Sequence, residues 1–281
     1  MKLQNFIKRA LKAQLRVIAV FSKKKAGNKA FKIFCTPFNK GSYEITPVMQ
    51  SAEALRLRFR NVYLKGYRWN KNAPKKVLIA HGFRSHTQRF EHLIPALIEK
   101  GYEIIAFDAP AHGLSSGKQI NAIDYTEVIR LIQKKYGPFT TYIGHSFGGL
   151  ALTLSIAELP GNKNLRVVLF APATDTEALA RVFLKEMGIS DQKVHDHFYK
   201  NVQILSGGKN LDWFSVKRCI GNIQSGILWI QDKADPIIPA AGATEIQRMN
   251  HPNIRFIFTD GLGHSKIYRD PVVLDQVFHF L

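Results

Sequence analysis

Acidic residues are missing from the first 43 positions of this 281-residue chain, where eleven Lys or Arg precede the first acid, Glu44. The imbalance extends to the whole chain. Forty basic residues stand against 21 acidic ones, a formal net charge of +19. Such a charge invites anionic partners but says nothing about fold. Cysteine is scarce as well. Cys35 and Cys219 alone make neither a disulfide framework nor a zinc ligand set, and they fit a reducing compartment. No apolar run approaches the roughly 20 residues that a membrane-spanning helix needs. The N-terminal segment lacks the uninterrupted apolar core and small-residue cleavage site of a secretory signal. The expected location is therefore cytoplasmic, with a peripheral position at the inner membrane surface as an extension. No zinc-finger, RNP-like or helix-turn-helix pattern is present, so nucleic acid is not an expected partner. Gly113–Lys118 resembles a phosphate-binding loop but is one residue short, and no Ser or Thr follows its lysine. Two close histidines, His195 and His197 around Asp196, read as surface. No metal and no cofactor are expected.

What the basic segment does contain is periodicity. Leu3, Phe6, Ile7, Ala10, Leu11, Ile18 and Phe21 recur at three- and four-residue steps, with Lys8, Lys12 and Arg16 on the other face. This is a basic amphipathic helix in an arm spanning residues 1–50. Two readings stay open. Residues 1–26 lie on an anionic membrane surface, or the helix docks on the domain with a solvated charged back. Residues 22–52, rich in Lys, Gly and Pro, read as irregular.

Beyond the arm the pattern changes twice. Residues 55–59 and 62–69 alternate apolar with polar, as an antiparallel pair at a sheet edge does. From Lys76 onward, short buried strands alternate with helical stretches. Strands are expected near 76–80, 102–107, 139–143, 165–170, 226–230 and 253–259. Helices are expected near 88–100, 122–136, 150–159 and 271–281. Alternation of this kind implies right-handed crossovers and a mostly parallel sheet with helices on both faces. Functional groups then gather beyond the carboxyl ends of the strands. The rhythm breaks after the sixth strand, where Thr176–Met187 and Asp191–Leu205 read as two helices. The expected organisation is a core of residues 51–172 and 225–281, with a small helical cap or lid inserted over 173–224.

Gly144-His145-Ser146-Phe147-Gly148-Gly149 falls between a strand and a helix. A serine at the apex of so tight a turn is held clear of the sheet, and the glycines permit the close approach of helix and strand. A serine hydroxyl is a poor nucleophile until a base takes its proton, and that base needs an orienting partner. The ends of later strands carry both kinds of group. Asp232 and Asp235 follow the 226–230 strand, and His264 follows the last one. The order Ser, Asp, His is the one expected when a strand–turn–helix elbow carries the serine.

With these landmarks the chain resembles a serine hydrolase of the α/β-hydrolase superfamily from about residue 55 to its end, cap excluded. His81-Gly82-Phe83 is similar to the family's His-Gly segment after its third strand. Asp108-Ala109-Pro110-Ala111-His112-Gly113-Leu114-Ser115 resembles its Asp-x-Pro-Gly-His-Gly-x-Ser loop, with Ala111 in place of the usual Gly. Asp232 stands where the family commonly has Gly. The resemblance implies Ser146 as nucleophile, His264 as base and Asp235 as the orienting acid, with Asp232 the second candidate. It implies an oxyanion hole from the backbone amides of Phe83 and Phe147. His145 is read as packing beside the site, and His112 and Asp108 as groups that hold their turn. The implied reaction is hydrolysis of a carboxylic ester or thioester of a small molecule through an acyl-enzyme. Other triad chemistries remain alternatives: amide or carbon–carbon hydrolysis, perhydrolysis, or a non-catalytic member that binds a ligand or membrane. Within the cap, Phe183, Met187 and Phe198 are candidates for an apolar substrate lining, and equally for packing.

Overall fold

The computed structural model describes residues 2–38, 43–44 and 46–281, with the backbone alone for residues 2–6. Eight strands make one sheet in the order β1-β2-β4-β3-β5-β6-β7-β8. They are β1 (Glu53–Phe59), β2 (Val62–Trp69), β3 (Lys75–Ala80), β4 (Tyr102–Phe107), β5 (Thr141–His145), β6 (Arg166–Phe170), β7 (Gly226–Asp232) and β8 (Ile254–Thr259). The first pairs with β2 antiparallel, and β2 with β4 likewise. All pairings from β4 to β8 are parallel. The alternating edge pair and the continuous apolar inner strands thus sit where their patterns place them.

The helices are α1 (Lys2–Phe21), α2 (Lys23–Phe34), α3 (Pro47–Gln50), α4 (Ile94–Glu99), α5 (Ala122–Tyr136), α6 (Phe147–Ile156), α7 (Thr176–Glu186), α8 (Gln192–Ser206), α9 (Val216–Cys219), α10 (Ala241–Arg248), α11 (Gly263–Lys266) and α12 (Pro271–Phe280). The helix expected over 88–100 is divided. Thr87–Leu93 is a 3-10 turn and only Ile94–Glu99 is α-helical, because Pro95 removes an amide donor that suits nothing but a first turn.

Two compact units emerge. The larger, residues 37–174 and 215–281, holds the sheet. Its core includes Val77, Ile79, Ile104, Ile143, Val168, Phe170, Leu228 and Ile230, with Val273 and Val277 of α12. The smaller, residues 1–36 and 175–214, is helical. Here the expectation of irregular chain at 22–52 fails, because Lys23–Phe34 is the helix α2. The Ser22 hydroxyl accepts from the Lys25 amide as its N-cap. Ala26, Ala30, Phe31 and Ile33 bury its inner face. Gly27 is no helix breaker here. A β-carbon on it would lie 2.6 Å from the Val194 carbonyl oxygen and from His197 Cβ, so glycine is what lets α2 and α8 close. Phe31 and Phe34 meet Phe198 at ring separations of 5.6 Å each, and Phe34 meets Phe183 at 5.2 Å. Lys8–Glu186 and Lys23–Asp191 ion pairs, at 2.8 and 2.7 Å, join the same segments.

The basic arm folds differently from its expected stripe. Leu15, outside that stripe, is buried, whereas Phe21, placed by periodicity on the apolar face, is 85% exposed. The side chains of Leu3 and Phe6 lie outside the described residues.

Candidate active site

The elbow between β5 and α6 is strained where the chemistry requires it. Ser146 has φ 53° and ψ −120°, a backbone that L-residues avoid, at a penalty of about 1–3 kcal/mol. The neighbouring glycines make the turn sterically possible. A β-carbon on Gly148 would come within 2.4 Å of the Ala80 carbonyl oxygen, and one on Gly144 within 2.7 Å of Gly149 Cα. The Ser146 amide donates to the Phe170 carbonyl at 2.9 Å, which ties the elbow to the end of β6. The serine stands at the N-terminus of α6, where unpaired amides favour negative charge.

The histidine loop closes on the acid loop. His264 Nδ1 lies 2.7 Å from Asp235 Oδ2. The other oxygen, Asp235 Oδ1, accepts from the amides of Ile237 and Ile238 at 2.8 and 2.9 Å. Burial pushes the Asp235 carboxyl up, but the bonds from His264 and these two amides outweigh it, and the group is held below the usual carboxylate range. An ionised Asp235 makes Nδ1 the protonated ring nitrogen and leaves Nε2 free to accept a proton. Asp232 is engaged elsewhere. Its oxygens accept from the Thr259 hydroxyl at 2.7 Å and from the amides of Leu262 and Ala234 at 2.9 and 3.0 Å. Burial raises this carboxyl too, and the same donors overturn that effect. Asp232 thus ties the carboxyl end of β8 and the chain leading to His264 to the end of β7, and the carboxylate bonded to the imidazole is Asp235.

His145 joins the two loops. Its Nε2 donates to the His264 carbonyl at 2.9 Å, and the two rings stand 4.6 Å apart. Burial, then the nearby His264, lowers its pKa to about 3. It is therefore neutral, and its only ring proton is committed to that carbonyl.

The loop after β3 approaches the serine from the other side. A β-carbon on Gly82 would lie 3.1 Å from Ser146 Cβ, so the His81-Gly82-Phe83 backbone abuts the elbow. Several hydrogen bonds hold this loop. His81 Nε2 accepts from the Ala109 amide at 2.9 Å, and its Nδ1 donates to the Gly82 carbonyl at 2.8 Å. Tyr125 Oη donates to the His81 carbonyl at 3.0 Å. His112 Nε2 accepts from the Arg84 amide at 2.9 Å, while its Nδ1 donates to the Pro110 carbonyl. Burial lowers the His81 pKa to about 4, so it stays neutral as this pattern demands. Asp108, fully buried, accepts from the amides of Thr87 and Leu114 and so holds both loops. Tyr125 and the link from His112 to Arg84 were not visible in the sequence, which carries no signal for contacts between loops so far apart. Ala111, in the position of the usual glycine, is held at φ 66°, where a side chain is unfavourable.

Phe83 and Phe147 meet edge to face at 5.8 Å, both half-buried, and Phe147 also packs on Tyr125. These rings form apolar walls beside Ser146. Phe183, Met187 and Phe198, considered for a substrate lining, are placed in the helical unit. Phe198 is fully buried between Phe31 and Phe34, Met187 is buried, and Phe183 spends its faces on Phe34 and Phe198. Phe198 and Met187 are interior packing of that unit, and Phe183 is half-buried against its rings. A cavity of about 810 Å³ lies at the amino ends of the strands, lined in part by Gln133, Phe139, Tyr142 and Leu165, remote from the serine. Among the described residues no three His, Cys, Asp or Glu side chains come together as a metal site.

The family model described as "Serine aminopeptidase, S33" matches residues 71–218. Monoglyceride lipase of Homo sapiens is 31% identical over 253 aligned positions, which cover 75% of this chain and 82% of that protein. The chain belongs to this family. It is a serine hydrolase of the α/β-hydrolase fold. The putative esterase/lipase 2 of Mycoplasma pneumoniae is 22% identical, covering 73% of the hydrolase and 88% of the relative. The Pyrococcus furiosus esterase Pf2001 superposes with a TM-score of 0.62 at 21% identity, over 88% of the hydrolase and 97% of that chain. This last likeness concerns the fold. The family match leaves out residues 1–70, the α1–α2 segment included, and residues 219–281, which carry Asp235 and His264.

Proposed function

We propose that this hydrolase cleaves a carboxylic ester or thioester through a Ser146-His264-Asp235 triad and an acyl-enzyme. The observation that carries the proposal is the 2.7 Å bond from His264 Nδ1 to a depressed Asp235 carboxyl. It commits Nδ1 and leaves Nε2 as the base. His264 takes the Ser146 proton as Oγ attacks the acyl carbon. The developing oxyanion is held by the amides of Phe147 and Phe83, each such donor being worth about 10²–10³ in rate. His264 then protonates the leaving alcohol or thiol. Water, deprotonated by His264, releases the acid and restores the serine. Apolar walls of Phe83 and Phe147 favour the acyl portion, and the relatives named lipase and esterase support an acyl ester as substrate. The family description as an aminopeptidase supports amide cleavage as the second reading. The two buried free cysteines accord with a cytoplasmic protein. The proposed partners are a small acyl ester at the site and an anionic membrane surface at residues 1–26.

A fluorophosphonate probe tests the mechanism. Labelling of the native protein that disappears in Ser146→Ala is expected, and a folded native protein that resists labelling overturns the triad. Turnover of p-nitrophenyl esters graded by acyl length, set against aminoacyl p-nitroanilides, separates the two substrate classes. Faster anilide cleavage would make amide hydrolysis the function.

A further inference from the structure

The helical unit leaves apolar side chains in solvent at one corner. Helix α1 ends at Phe21 and α2 begins at Lys23, with Ser22 between them in extended conformation. Val17, Val20 and Phe21 at this corner are 58, 77 and 85% exposed. They follow the three- and four-residue spacing of one helix face, while Leu15 of the other face is buried. Lys24 and Lys25 stand immediately after them, also exposed. Residues 1–36 carry ten Lys or Arg and no acid. Large apolar groups next to lysines suit the boundary between phospholipid headgroups and acyl chains.

A second feature of the same unit begins at Lys24. A pocket of about 200 Å³ opens between α2 and α8, lined by Lys24, Asn28, His197, Lys200, Asn201 and Ile204. Asn201 Nδ2 donates to Asn28 Oδ1 at 2.9 Å and to the His197 carbonyl at 2.6 Å. The lining contains two lysines and no carboxylate, which suits an anion small enough for such a volume. Ile204, at its rim, is 71% exposed, and Leu205 beside it is 49% exposed.

We propose that this pocket receives the anionic headgroup of a bilayer phospholipid, gripped by Lys24 and Lys200, while Val20 and Phe21, three to four residues before Lys24, enter the acyl boundary. The proposal rests on the reading that residues 1–26 meet an anionic membrane, and goes beyond it by naming the headgroup site. Lipid recognition then belongs to the helical unit, and the ester chemistry to the sheet unit.

Sedimentation of the full-length protein with vesicles tests it. One preparation is phosphatidylcholine alone, the other an equal mixture with phosphatidylglycerol. Binding to the mixed vesicles, weakened by salt and by excess soluble glycerol phosphate, is expected. The double variant Lys24→Gln/Lys200→Gln should bind about 30-fold more weakly, at roughly one kcal/mol or fivefold per lysine. Val20→Gln/Phe21→Gln should lose about tenfold or more, from the apolar area no longer buried. Circular dichroism checks that both variants keep their helices. If the lysine variant binds as tightly as the native protein while the Val20/Phe21 variant does not, the headgroup pocket is wrong and the membrane reading stands. If neither vesicle binds, both are wrong. Self-association that disappears in the Val20/Phe21 variant, or retention on duplex DNA without vesicle binding, likewise overturns the proposal.

Discussion

The sheet unit and the helical unit are held together by different means. In the sheet unit the inner strands carry their own apolar runs and pair in one parallel ladder from β4 to β8. The helical unit is assembled from two segments separated by the first six strands, and its contacts depend on one glycine and a few aromatic rings. One unit ties Asp235, His264 and His145 together by short hydrogen bonds. The other leaves Val20 and Phe21 in solvent beside lysines. Rigidity suits a site whose groups must meet within tenths of an ångström. Exposed apolar groups suit a surface that meets a partner.

The sharpest way to separate the units is through the acid. Asp235→Asn should lower kcat on the order of 10⁴-fold, because the imidazole loses its tautomer. Thermal unfolding and vesicle binding should stay near native. Asp232→Asn should do the reverse, keeping activity and lowering Tm, since its donors fasten β8 and the following loop. If Asp232→Asn proves the inactive variant, the acid is misassigned.

Acidification comes next in size. The folded pKa of His81 is depressed to about 4 from an ordinary 6.5. Above 6.5 neither state binds the proton, and stability is complete. As pH falls from 6.5 to 4 the unfolded chain gains a proton that the native protein refuses, and stability is lost, by about 3 kcal/mol for this group alone. His145, depressed to about 3, adds to the same limb. Urea midpoints measured from pH 7 to pH 4 should fall, with a shallower slope in His81→Gln. A flat profile would mean that the two histidines are not held neutral.

Gly27→Val acts on the helical unit alone. Its β-carbon meets backbone 2.6 Å away, and forcing α2 from α8 should cost about 1–3 kcal/mol. Limited proteolysis should then cut within 1–36 or 175–214 while the sheet unit persists. Unchanged resistance would show that the helices repack around the added group. The smallest effect is a gain. Ala111→Gly relieves a left-handed alanine, raising stability by about 1 kcal/mol or less once the extra freedom of unfolded glycine is subtracted, which calorimetry reads as a Tm higher by a few degrees.

How far the site was legible follows from the range of each interaction. The elbow is local: Gly144, Ser146, Gly148 and Gly149 lie within six residues, and their spacing is itself the constraint. Asp235 and His264 were placed by being at strand ends, which periodicity locates. The resemblance pointed to Asp235 over Asp232, but local pattern did not separate them, since both are buried carboxylates three residues apart at the end of β7. Only the register of β7 with β8 turns Asp232 toward Thr259 and leaves Asp235 to His264. His145 was recognisable as a neighbour of the site, but its bond to the His264 carbonyl spans 119 residues.

By itself the sequence determined the strands and the tight turn that carries Ser146, because two-residue and helical periodicities and tight-turn glycines are properties of adjacent residues. Tertiary structure decided the rest. It made Gly27 a packing residue and not a breaker, because only the approach of α8 requires a missing β-carbon. It buried Phe198 and exposed Phe21, which hydrophobicity alone treats alike, because burial depends on which surface arrives from elsewhere in the chain.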